Sequence, residues 1–159
     1  MYVLIVGGGK IGSHLAGLLL EEGHRVKVLD PREDVLARLR EEIPSENIIA
    51  GDGTDPNLLE AAGIKDVQVL AAVTGEDETN LVITTLGRFE FNVPRIIARV
   101  NNPKNAWLFT PEMGVDVAVN QADILARLIL EEMSLGDMMT LVKLRKGEFS
   151  IIEEKVHPN

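Results

Sequence analysis

The sequence predicts an α/β protein built on a doubly wound parallel sheet of about six strands. Two observations lead to this prediction: short, continuous apolar runs recur along the 159 residues, and helix-like apolar patterns separate them. Continuous apolar runs are typical of parallel strands that are covered on both faces. Because a helical pattern follows each run, the chain has the form of repeated βα units with right-handed crossovers. Such sheets bind ligands at the carboxyl ends of their strands, where the strand order reverses.

The predicted elements follow this alternation from the first residue. The strands are predicted at 1–6, 25–29, 47–50, 67–73, 95–100 and 115–119. The helices are predicted at 11–22, 31–42, 56–62, 77–91, 103–111 and 121–135. Beyond Gly136, two runs with imperfect alternation, 139–145 and 148–156, flank a turn at Lys146-Gly147 and predict a terminal β-hairpin.

The first strand runs directly into a glycine-rich turn. The run Val3-Leu4-Ile5-Val6 is followed by Gly7-Gly8-Gly9-Lys10-Ile11-Gly12, which fits the pattern G-x-G-x-x-G. In a Rossmann-like fold, Gly7 makes the turn, Gly9 lets a pyrophosphate approach the backbone, and Gly12 allows close packing of the helix. The helix that begins here presents N–H groups and a partial positive charge, both of which suit a phosphate.

The second strand ends in an acid at the position expected for ribose binding. Asp30 lies 18 residues after Gly12, close to the roughly 20 that separate the glycine motif from a ribose-binding carboxylate. Asp30 also precedes Pro31 and fits the N-cap of the next helix, a role compatible with ribose binding. Arg32 is a residue type that can hold a 2′-phosphate, but the carboxylate of Asp30 would repel that phosphate. We therefore expect a ligand with free ribose hydroxyls.

The third strand runs into the loop Gly51-Asp52-Gly53-Thr54-Asp55-Pro56, which lies at the same carboxyl edge. Asp52 and Thr54 are placed to hydrogen-bond the edge of an adenine. Alternatively, Thr54 or Asp55 caps the helix that begins at Pro56. The residues of this loop are compatible with both interpretations.

Two further groups lie at the ends of strands four and five. Thr74 and Gly75 are expected beside the glycine loop, where ribose and phosphates would pass. The acidic triplet 76–78 is interpreted as first-turn helix charge in preference to a divalent metal site. Arg99 ends the fifth strand, where it either balances phosphate charge or pairs with the acidic loop.

The last predicted helix, 121–135, is apolar over most of its circumference. Its polar residues form a single stripe of Asp123, Arg127 and Glu131 at i, i+4 spacing. A terminal helix of this kind requires cover on more than one side. We therefore expect it to be the interface of a homodimer.

Composition excludes several classes of protein. The net charge of −9 and the lack of a Lys/Arg cluster argue against a nucleic-acid partner. The sequence contains no cysteine, which excludes disulfides and thiol chemistry. No apolar run approaches the roughly 18 residues of a membrane span, and a strand at the N-terminus leaves no room for a signal peptide. We expect a cytoplasmic protein with no direct membrane insertion.

Four stretches together resemble the TrkA-N, or RCK, family of nucleotide-binding domains that regulate potassium channels and transporters. They are Gly7–Gly12, Gly51–Pro56, Thr74–Asn80 and Ile97–Pro103. In addition, Gly114-Val115-Asp116 precedes the last strand, as it commonly does in this family. The resemblance spans residues 1–135, and the order and spacing of the stretches are more specific than the glycine motif alone.

The resemblance implies a nucleotide site and a regulatory function without catalysis. NAD(H) is the expected ligand, with ATP or ADP as the alternative. The implied binding residues are Gly7, Gly8, Gly9, Lys10, Ile11, Gly12, Asp30, Pro31, Arg32, Gly51, Asp52, Gly53, Thr54, Thr74, Gly75, Glu78 and Arg99. Lys10 stands where relatives often carry an arginine, and as lysine it supplies a point charge without a bidentate fork.

The resemblance also implies partners and a domain division. Members of the family dimerise, often assemble into rings, and act on a membrane potassium transporter or channel from the inner face of the membrane. Residues 1–135 are expected to form the nucleotide-binding domain. Residues 136–159 are expected to form a hairpin that leads to a C-terminal domain absent from this sequence. The alternative is the NAD-binding domain of a small oxidoreductase, which would require a substrate domain and a proton donor.

Overall fold

A computed structural model describes residues 1–133, 138–144 and 149–154. Its main strands are β1 (Tyr2–Val6), β2 (Arg25–Asp30), β3 (Ile48–Ala50), β4 (Val69–Ala72), β5 (Arg95–Val100) and β6 (Val117–Asn120). The α-helices are α1 (Lys10–Glu21), α2 (Glu33–Glu42), α3 (Pro56–Ala61), α4 (Asp77–Thr85) and α5 (Gln121–Met133). The six strands form one parallel sheet in the order β3-β2-β1-β4-β5-β6. This is the predicted doubly wound Rossmann-like fold.

Strand β1 lies at the centre of the sheet, and all of its residues are buried. Val3 pairs with Val26 of β2 on one side and with Val69 of β4 on the other. Because the chain leaves β1 toward β2 but returns to β4 on the opposite side, the loops after β1 and β4 diverge. A crevice therefore opens at the carboxyl ends of these two strands.

Two hydrophobic cores cover the two faces of the sheet. One core joins α3, α4 and the turns after β5 to all of the strands from β1 to β5, with Leu4, Leu70 and Ile96 fully buried. The other core packs α1 and α2 on β1 and β2 and extends as far as Ala71 and Val73. Neither β5 nor β6 contributes a buried residue to this second core. That half of the sheet is thus covered well on only one face.

The segment predicted as a helix over 103–111 is not an α-helix, so that prediction was wrong. It forms two short 3₁₀ turns, Pro103–Leu108 and Pro111–Met113. The residue before a proline is disfavoured in the α region, and Thr110 accordingly has extended dihedrals, φ −118° and ψ 165°. A continuous helix is interrupted there, and i→i+3 bonds such as Phe109 N–H to Ala106 O replace it.

Two other predicted helices differ from the observed ones, the first in where it begins and the second in being divided. Helix α2 begins at Glu33 with Arg32 as its N-cap, two residues later than predicted, because Asp30 bonds the Arg32 N–H and holds an extended turn. The segment predicted as a helix over 77–91 is divided into α4 and a π-helical turn, Leu86–Glu90.

The predicted hairpin is present as two antiparallel strands, β7 (Met138–Leu144) and β8 (Phe149–Glu154). The predicted turn at 146–147, the residues 145 and 148 on either side of it, and residues 155–156 lie outside the described residues, as do residues 134–135 of the last predicted helix. The division into domains at residue 135 stays a prediction. No helix within the described residues is long and apolar enough to cross a bilayer.

Candidate functional site

The crevice between β1 and β4 holds a cleft of about 460 Å³. It lies at the carboxyl ends of the strands, where the fold places its ligands. Eight of the predicted binding residues line it: Gly7, Asp30, Pro31, Arg32, Asp52, Gly53, Thr74 and Gly75. The cleft thus draws its lining from the loops after β1, β2, β3 and β4, which are far apart in the sequence.

The glycine loop forms one wall of this cleft through close backbone contacts. Gly7 has φ +111°, a conformation that favours glycine, and a Cβ there would lie 2.8 Å from the Thr74 nitrogen. A Cβ on Gly12 would lie only 1.8 Å from the Gly7 oxygen, so α1 packs directly on the turn. At Gly9, by contrast, an added Cβ would have no atom within 4 Å. These are the three roles predicted for the motif: turn, close packing and open space for a ligand.

Helix α1 directs its N-terminus to this open space. It begins at Lys10, and its N-cap Gly9 has no side-chain cap. The backbone N–H groups of the first turn have no intrahelical acceptor. Together with the positive end of the helix dipole, they form a site that suits phosphate oxygens. The residues of the loop therefore fit a nucleotide that carries phosphates.

Asp30 is a buried carboxylate at the end of β2, with only 1% of its surface exposed. Its Oδ2 accepts bonds from the Gly8 N–H at 2.8 Å and from Arg32 Nη2 at 2.8 Å. Its Oδ1 accepts bonds from the Arg32 N–H at 2.9 Å and from Arg32 Nε at 3.0 Å. Burial alone raises the pKa of Asp30, but the hydrogen bonds from Arg32 and Gly8 outweigh it and lower the pKa below its usual value. Asp30 is therefore ionised at neutral pH.

The loop after β3 settles one of the two open interpretations. Asp55 caps α3 by accepting a bond from the Asn57 N–H at 2.9 Å. Thr54 instead donates to Asp52 Oδ1, from its N–H at 2.9 Å and from its hydroxyl at 2.8 Å. These two bonds lower the pKa of Asp52. Asp52 lines the cleft with its position fixed by Thr54, so the adenine-edge role remains compatible with the geometry.

Asn80, on α4, ties the end of β4 to the end of β5 and is fully buried. Its Oδ1 accepts bonds from the Thr74 N–H at 3.0 Å and from the Thr74 hydroxyl at 2.7 Å. Its Nδ2 donates to Thr74 O at 3.1 Å and to Arg99 O at 3.0 Å. All the hydrogen-bonding capacity of this amide is used, and the position of Thr74 in the cleft depends on it.

The acidic triplet at the start of α4 separates in space. Asp77 is buried and accepts bonds from the backbone N–H groups of Asn101 and Asn102 at 2.6 and 2.9 Å, and from Asn105 Nδ2 at 2.8 Å. Burial raises the pKa of Asp77, but these bonds outweigh it and lower the pKa below its usual value. Glu76 lines the cleft and Glu78 is exposed on α4. Asp77 is therefore a structural residue that anchors the loop after β5.

The other predicted site residues support the cleft or lie outside it. Gly8 donates to Asp30, Gly12 packs under Gly7, and the Gly51 N–H bonds Asp30 O at 3.0 Å. Lys10 and Glu78 are exposed and do not line the cleft. Ligand contacts at these two side chains stay predictions.

Sequence reasoning missed four lining residues: Val6, Leu29, Glu76 and Thr79. Val6 and Leu29 lie at the ends of β1 and β2, where the sheet rule applies to any side chain that faces the crevice. Glu76 and Thr79 lie within five residues of Thr74 and belong to the same loop and helix start. Proximity to a predicted site residue was the available signal.

Arg99 and Ile11 line a second cleft of about 310 Å³ on the half-covered face of the sheet. Its walls are mostly apolar and come from α1, β4, β5, β6 and α5. Two polar atoms buried in it, Arg99 Nε and Gln121 Oε1, have no hydrogen-bond partner within residues 1–133 and the described parts of the hairpin. The structure thus places Arg99 beside the apolar face, separate from the lining of the nucleotide cleft. A contact between Arg99 and phosphate stays a prediction.

Helix α5 flanks the second cleft and buries none of its own residues. Four of its apolar side chains are about half exposed or more: Leu125 at 49%, Ile129 at 60%, Leu130 at 65% and Met133 at 76%. Arg127 Nε and Asp123 Oδ2 form an i, i+4 ion pair at 2.9 Å on the polar stripe. An exposed apolar surface of this kind is typical of an interaction site.

Comparison with known proteins gives a consistent relationship. The model of the TrkA-N domain matches residues 3–121. The Trk system potassium uptake protein TrkA of Mycobacterium tuberculosis (strain ATCC 25618 / H37Rv) is 37% identical over 153 residues, which are 96% of this chain and 69% of that protein.

Solved structures agree with the fold. GsuK bound to ADP has 27% sequence identity and a TM-score of 0.69, covering 84% of this chain and 34% of that chain. The GsuK channel bound to NAD has 23% identity and a TM-score of 0.71, covering 80% of this chain and 23% of that chain, and shows likeness of fold alone. The resemblance inferred from the sequence motifs is confirmed by the family match. The chain belongs to the TrkA-N domain family.

Proposed function

We propose that this protein is a cytoplasmic regulatory subunit of a potassium uptake system, and that it binds NAD(H) or an adenine nucleotide in the cleft between β1 and β4. The observation that carries the nucleotide proposal is the buried, ionised carboxylate of Asp30 beside the glycine loop. A buried charge is costly unless it is paired. Its position at the end of β2 is the position of the ribose-binding acid in Rossmann-like folds.

The residues of the cleft divide the work of holding such a ligand. Asp30 accepts the ribose hydroxyls, the backbone around Gly9 and the N-terminus of α1 bind the phosphates, and Asp52 lies at the adenine. Thr74 and Gly75 form the opposite wall. The structure of GsuK bound to ADP, at 27% identity, supports an adenine nucleotide as the ligand class of this protein.

Calorimetry with NAD⁺, NADH, ATP and ADP tests this proposal. Asp30→Asn keeps the size of the side chain but replaces one acceptor oxygen with a donor, and we expect at least about a tenfold loss of affinity for each ligand that binds. Asp66→Asn is the matched control, because Asp66 is exposed at the opposite edge of the sheet. Lack of binding by all four nucleotides, or equal affinity in both variants, would contradict the proposal.

The same protein is proposed to act as a homodimer through α5 and the half-covered face of the sheet. The exposed leucine, isoleucine and methionine side chains of α5 supply apolar area, and the second cleft lies beside them. Beside this apolar area, Arg99 Nε and Gln121 Oε1 have no hydrogen-bond partner among the described residues. Leaving such groups buried and unpaired costs about 1–3 kcal/mol each.

Sedimentation at several protein concentrations tests the dimer. Leu130→Glu places a charge in the proposed interface, and we expect dissociation to monomers at concentrations where the unaltered protein is dimeric. Leu18→Glu is the control, because Leu18 is an exposed leucine on α1 that does not line the second cleft. A monomeric unaltered protein, or a dimer that withstands Leu130→Glu, would refute this interface.

Regulation follows if the nucleotide binds two dimer geometries with different affinities, because a ligand shifts an equilibrium only by its differential affinity. The altered dimer, or a ring built from dimers, then changes potassium flux through a membrane partner. The relative named TrkA, a potassium uptake protein, supports this partner class. Among the described residues that line the cleft there is no histidine, tyrosine, lysine or serine, which favours binding over hydride-transfer chemistry.

A further inference from the structure

Arg32 satisfies the Asp30 carboxylate in the same way that a ribose would. We propose that Arg32 is a built-in competitor for the ribose subsite, so that this side chain sets how tightly and how fast the cleft takes ligands with a 2′,3′-diol. The inference rests on the proposed nucleotide binding and adds a specificity-determining residue to it.

Counting the hydrogen bonds at Asp30 carries the argument. A carboxylate has about four acceptor positions, and four donors occupy them here. Two of these donors are backbone N–H groups, of Gly8 and Arg32, which the turn and the start of α2 hold in place. The other two, Arg32 Nε and Nη2, belong to one guanidinium and take one position on each oxygen.

A ribose 2′,3′-diol offers the same number of donors as this guanidinium fork. Its two hydroxyls can each donate to one carboxylate oxygen, which are the two positions that Nε and Nη2 now hold. The backbone donors need not move. Ribose binding and the Arg32 side-chain pair are therefore mutually exclusive at Asp30, whereas ribose binding and the backbone bonds are compatible.

The guanidinium is able to leave, while Asp30 is not. The Arg32 side chain is 55% exposed and the Asp30 side chain only 1%. The hydrogen bonds to Asp30 raise the pKa of the Arg32 guanidinium most, and the charges of Asp34 and Glu76 raise it further. Glu76 lines the same cleft, so a displaced guanidinium retains an electrostatic partner at the mouth.

Adenosine is the sharpest probe, because it has the diol but no phosphate charge. We expect Arg32→Ala to bind adenosine about three- to tenfold more tightly than the unaltered protein, since a half-exposed charge pair no longer competes. The gain for ADP is smaller, because the variant also removes a cation near the phosphates. Arg32→Lys keeps the charge without the bidentate fork. We expect its affinity for adenosine to lie between those of the unaltered protein and Arg32→Ala.

The matched control is Arg40→Ala, which removes the same charge from α2. Arg40 pairs with exposed Glu33 and does not line the cleft, so its affinity for adenosine should stay within about twofold of the unaltered protein. 2′,3′-Dideoxyadenosine supplies a second control, because it has no diol. Its affinity should not rise in Arg32→Ala.

Nuclear magnetic resonance reads the pair itself. The Nε–H signal of Arg32, assigned by its loss in Arg32→Ala, should be slow to exchange in the protein alone and should shift when ADP saturates the site. An exchange rate equal to that of Arg40, or a signal that ADP does not move, overturns the competition.

Titration outcomes separate this inference from the function beneath it. If the protein binds ADP in an Asp30-dependent way but Arg32→Ala binds adenosine no more tightly, the competition is wrong and the nucleotide site stands. A weaker affinity in Arg32→Ala has the same meaning and makes Arg32 a direct ligand contact. If adenosine and all four nucleotides, NAD⁺, NADH, ATP and ADP, fail to bind both proteins, the proposed function is wrong and the competition with it.

Discussion

The nucleotide cleft and the apolar cleft lie on the same sheet, but they differ in whether their buried polar groups are hydrogen-bonded. In the nucleotide cleft, the buried Asp30 has a donor at every acceptor position. In the apolar cleft, Arg99 Nε and Gln121 Oε1 are buried without a hydrogen-bond partner among the described residues. The first arrangement is complete within the described part of the chain, whereas the second leaves buried polar atoms unpaired there.

This difference indicates what each cleft is suited to bind. A complete hydrogen-bond set can be exchanged for that of a small ligand without large rearrangement, which suits a reversible effector. An apolar surface with a few unpaired polar atoms needs a partner that supplies both cover and hydrogen bonds, which suits a protein interface.

Substitutions in the glycine loop should give the largest effects, on the free energy of unfolding and on nucleotide binding, and should leave the apolar cleft unaffected. We expect Gly12→Ala to lower the free energy of unfolding by about 3 kcal/mol or more, because its Cβ would lie 1.8 Å from the Gly7 oxygen. Gly9→Ala should cost only about 1 kcal/mol or less, the loss of a glycine N-cap, since its Cβ contacts nothing within 4 Å. It should nevertheless weaken nucleotide binding at least about tenfold, because the methyl takes the space of the pyrophosphate.

Urea denaturation and calorimetry measure these two effects, and sedimentation supplies the contrast with the other cleft. The Gly9→Ala protein should form dimers as the unaltered protein does. Equal stability of Gly12→Ala and Gly9→Ala would show that the turn does not pack as described.

Asn80 should affect both clefts at once. Asn80→Ala removes a fully buried amide and its bonds to Thr74 N–H, Thr74 O and Arg99 O. Thr74 O then keeps only its bond from Asn101 Nδ2. We expect a loss of about 3 kcal/mol in the free energy of unfolding. Thr79→Ala is the neighbouring control, because the Thr79 hydroxyl bonds Glu76 on the surface and should cost under about 1 kcal/mol. A destabilisation by Asn80→Ala no greater than that of the control would contradict the role of this amide.

Asp77 should affect the free energy of unfolding without affecting nucleotide binding or dimer formation, and the size of its effect should depend on pH. Asp77→Asn puts a donor against the N–H groups of the loop after β5, and we expect a loss of about 2 kcal/mol at pH 7. The pKa of Asp77 is lowered in the folded protein, so its contribution is present above the unfolded pKa of about 4 and is lost as the pH falls through the folded value. Denaturation of the unaltered protein and of Asp77→Asn at pH 7 and pH 3 measures this. A difference in their free energies of unfolding that is larger at pH 3 than at pH 7 would contradict the prediction.

The sequence was sufficient for the sheet because each strand carries its own signal. Short, mostly apolar runs marked all six strands, and the acid at Asp30 followed from a spacing that the fold itself imposes. The carboxyl-edge rule located the cleft, but it did not determine which way a side chain points at that edge. Arg99 and Ile97 lie on one face of β5, whereas Ile96 and Ala98 lie on the other. A continuous apolar run does not distinguish these faces.

Contacts between distant residues account for the remaining differences. Asp77 turns inward because its acceptors meet N–H groups at 101 and 102, more than twenty residues away, and nothing in the triplet 76–78 distinguishes it from its neighbours. The pairing of Arg32 with Asp30 depends on the turn that delays the start of α2 until Glu33. The 3₁₀ turns at 103–113 follow Pro103 and Pro111, a local signal that the apolar pattern outweighed in the prediction.

Because Asn80 supports both clefts, its hydrogen bonds have a thermodynamic consequence. One amide holds the Thr74 backbone in the nucleotide cleft and the Arg99 carbonyl beside the apolar cleft. If a bound nucleotide shifts Thr74 and thereby changes the dimer affinity by some factor, then dimer formation must change the nucleotide affinity by the same factor. The concentration of the protein itself then becomes an effector, and nucleotide affinities measured at two protein concentrations would differ by the coupling between the clefts.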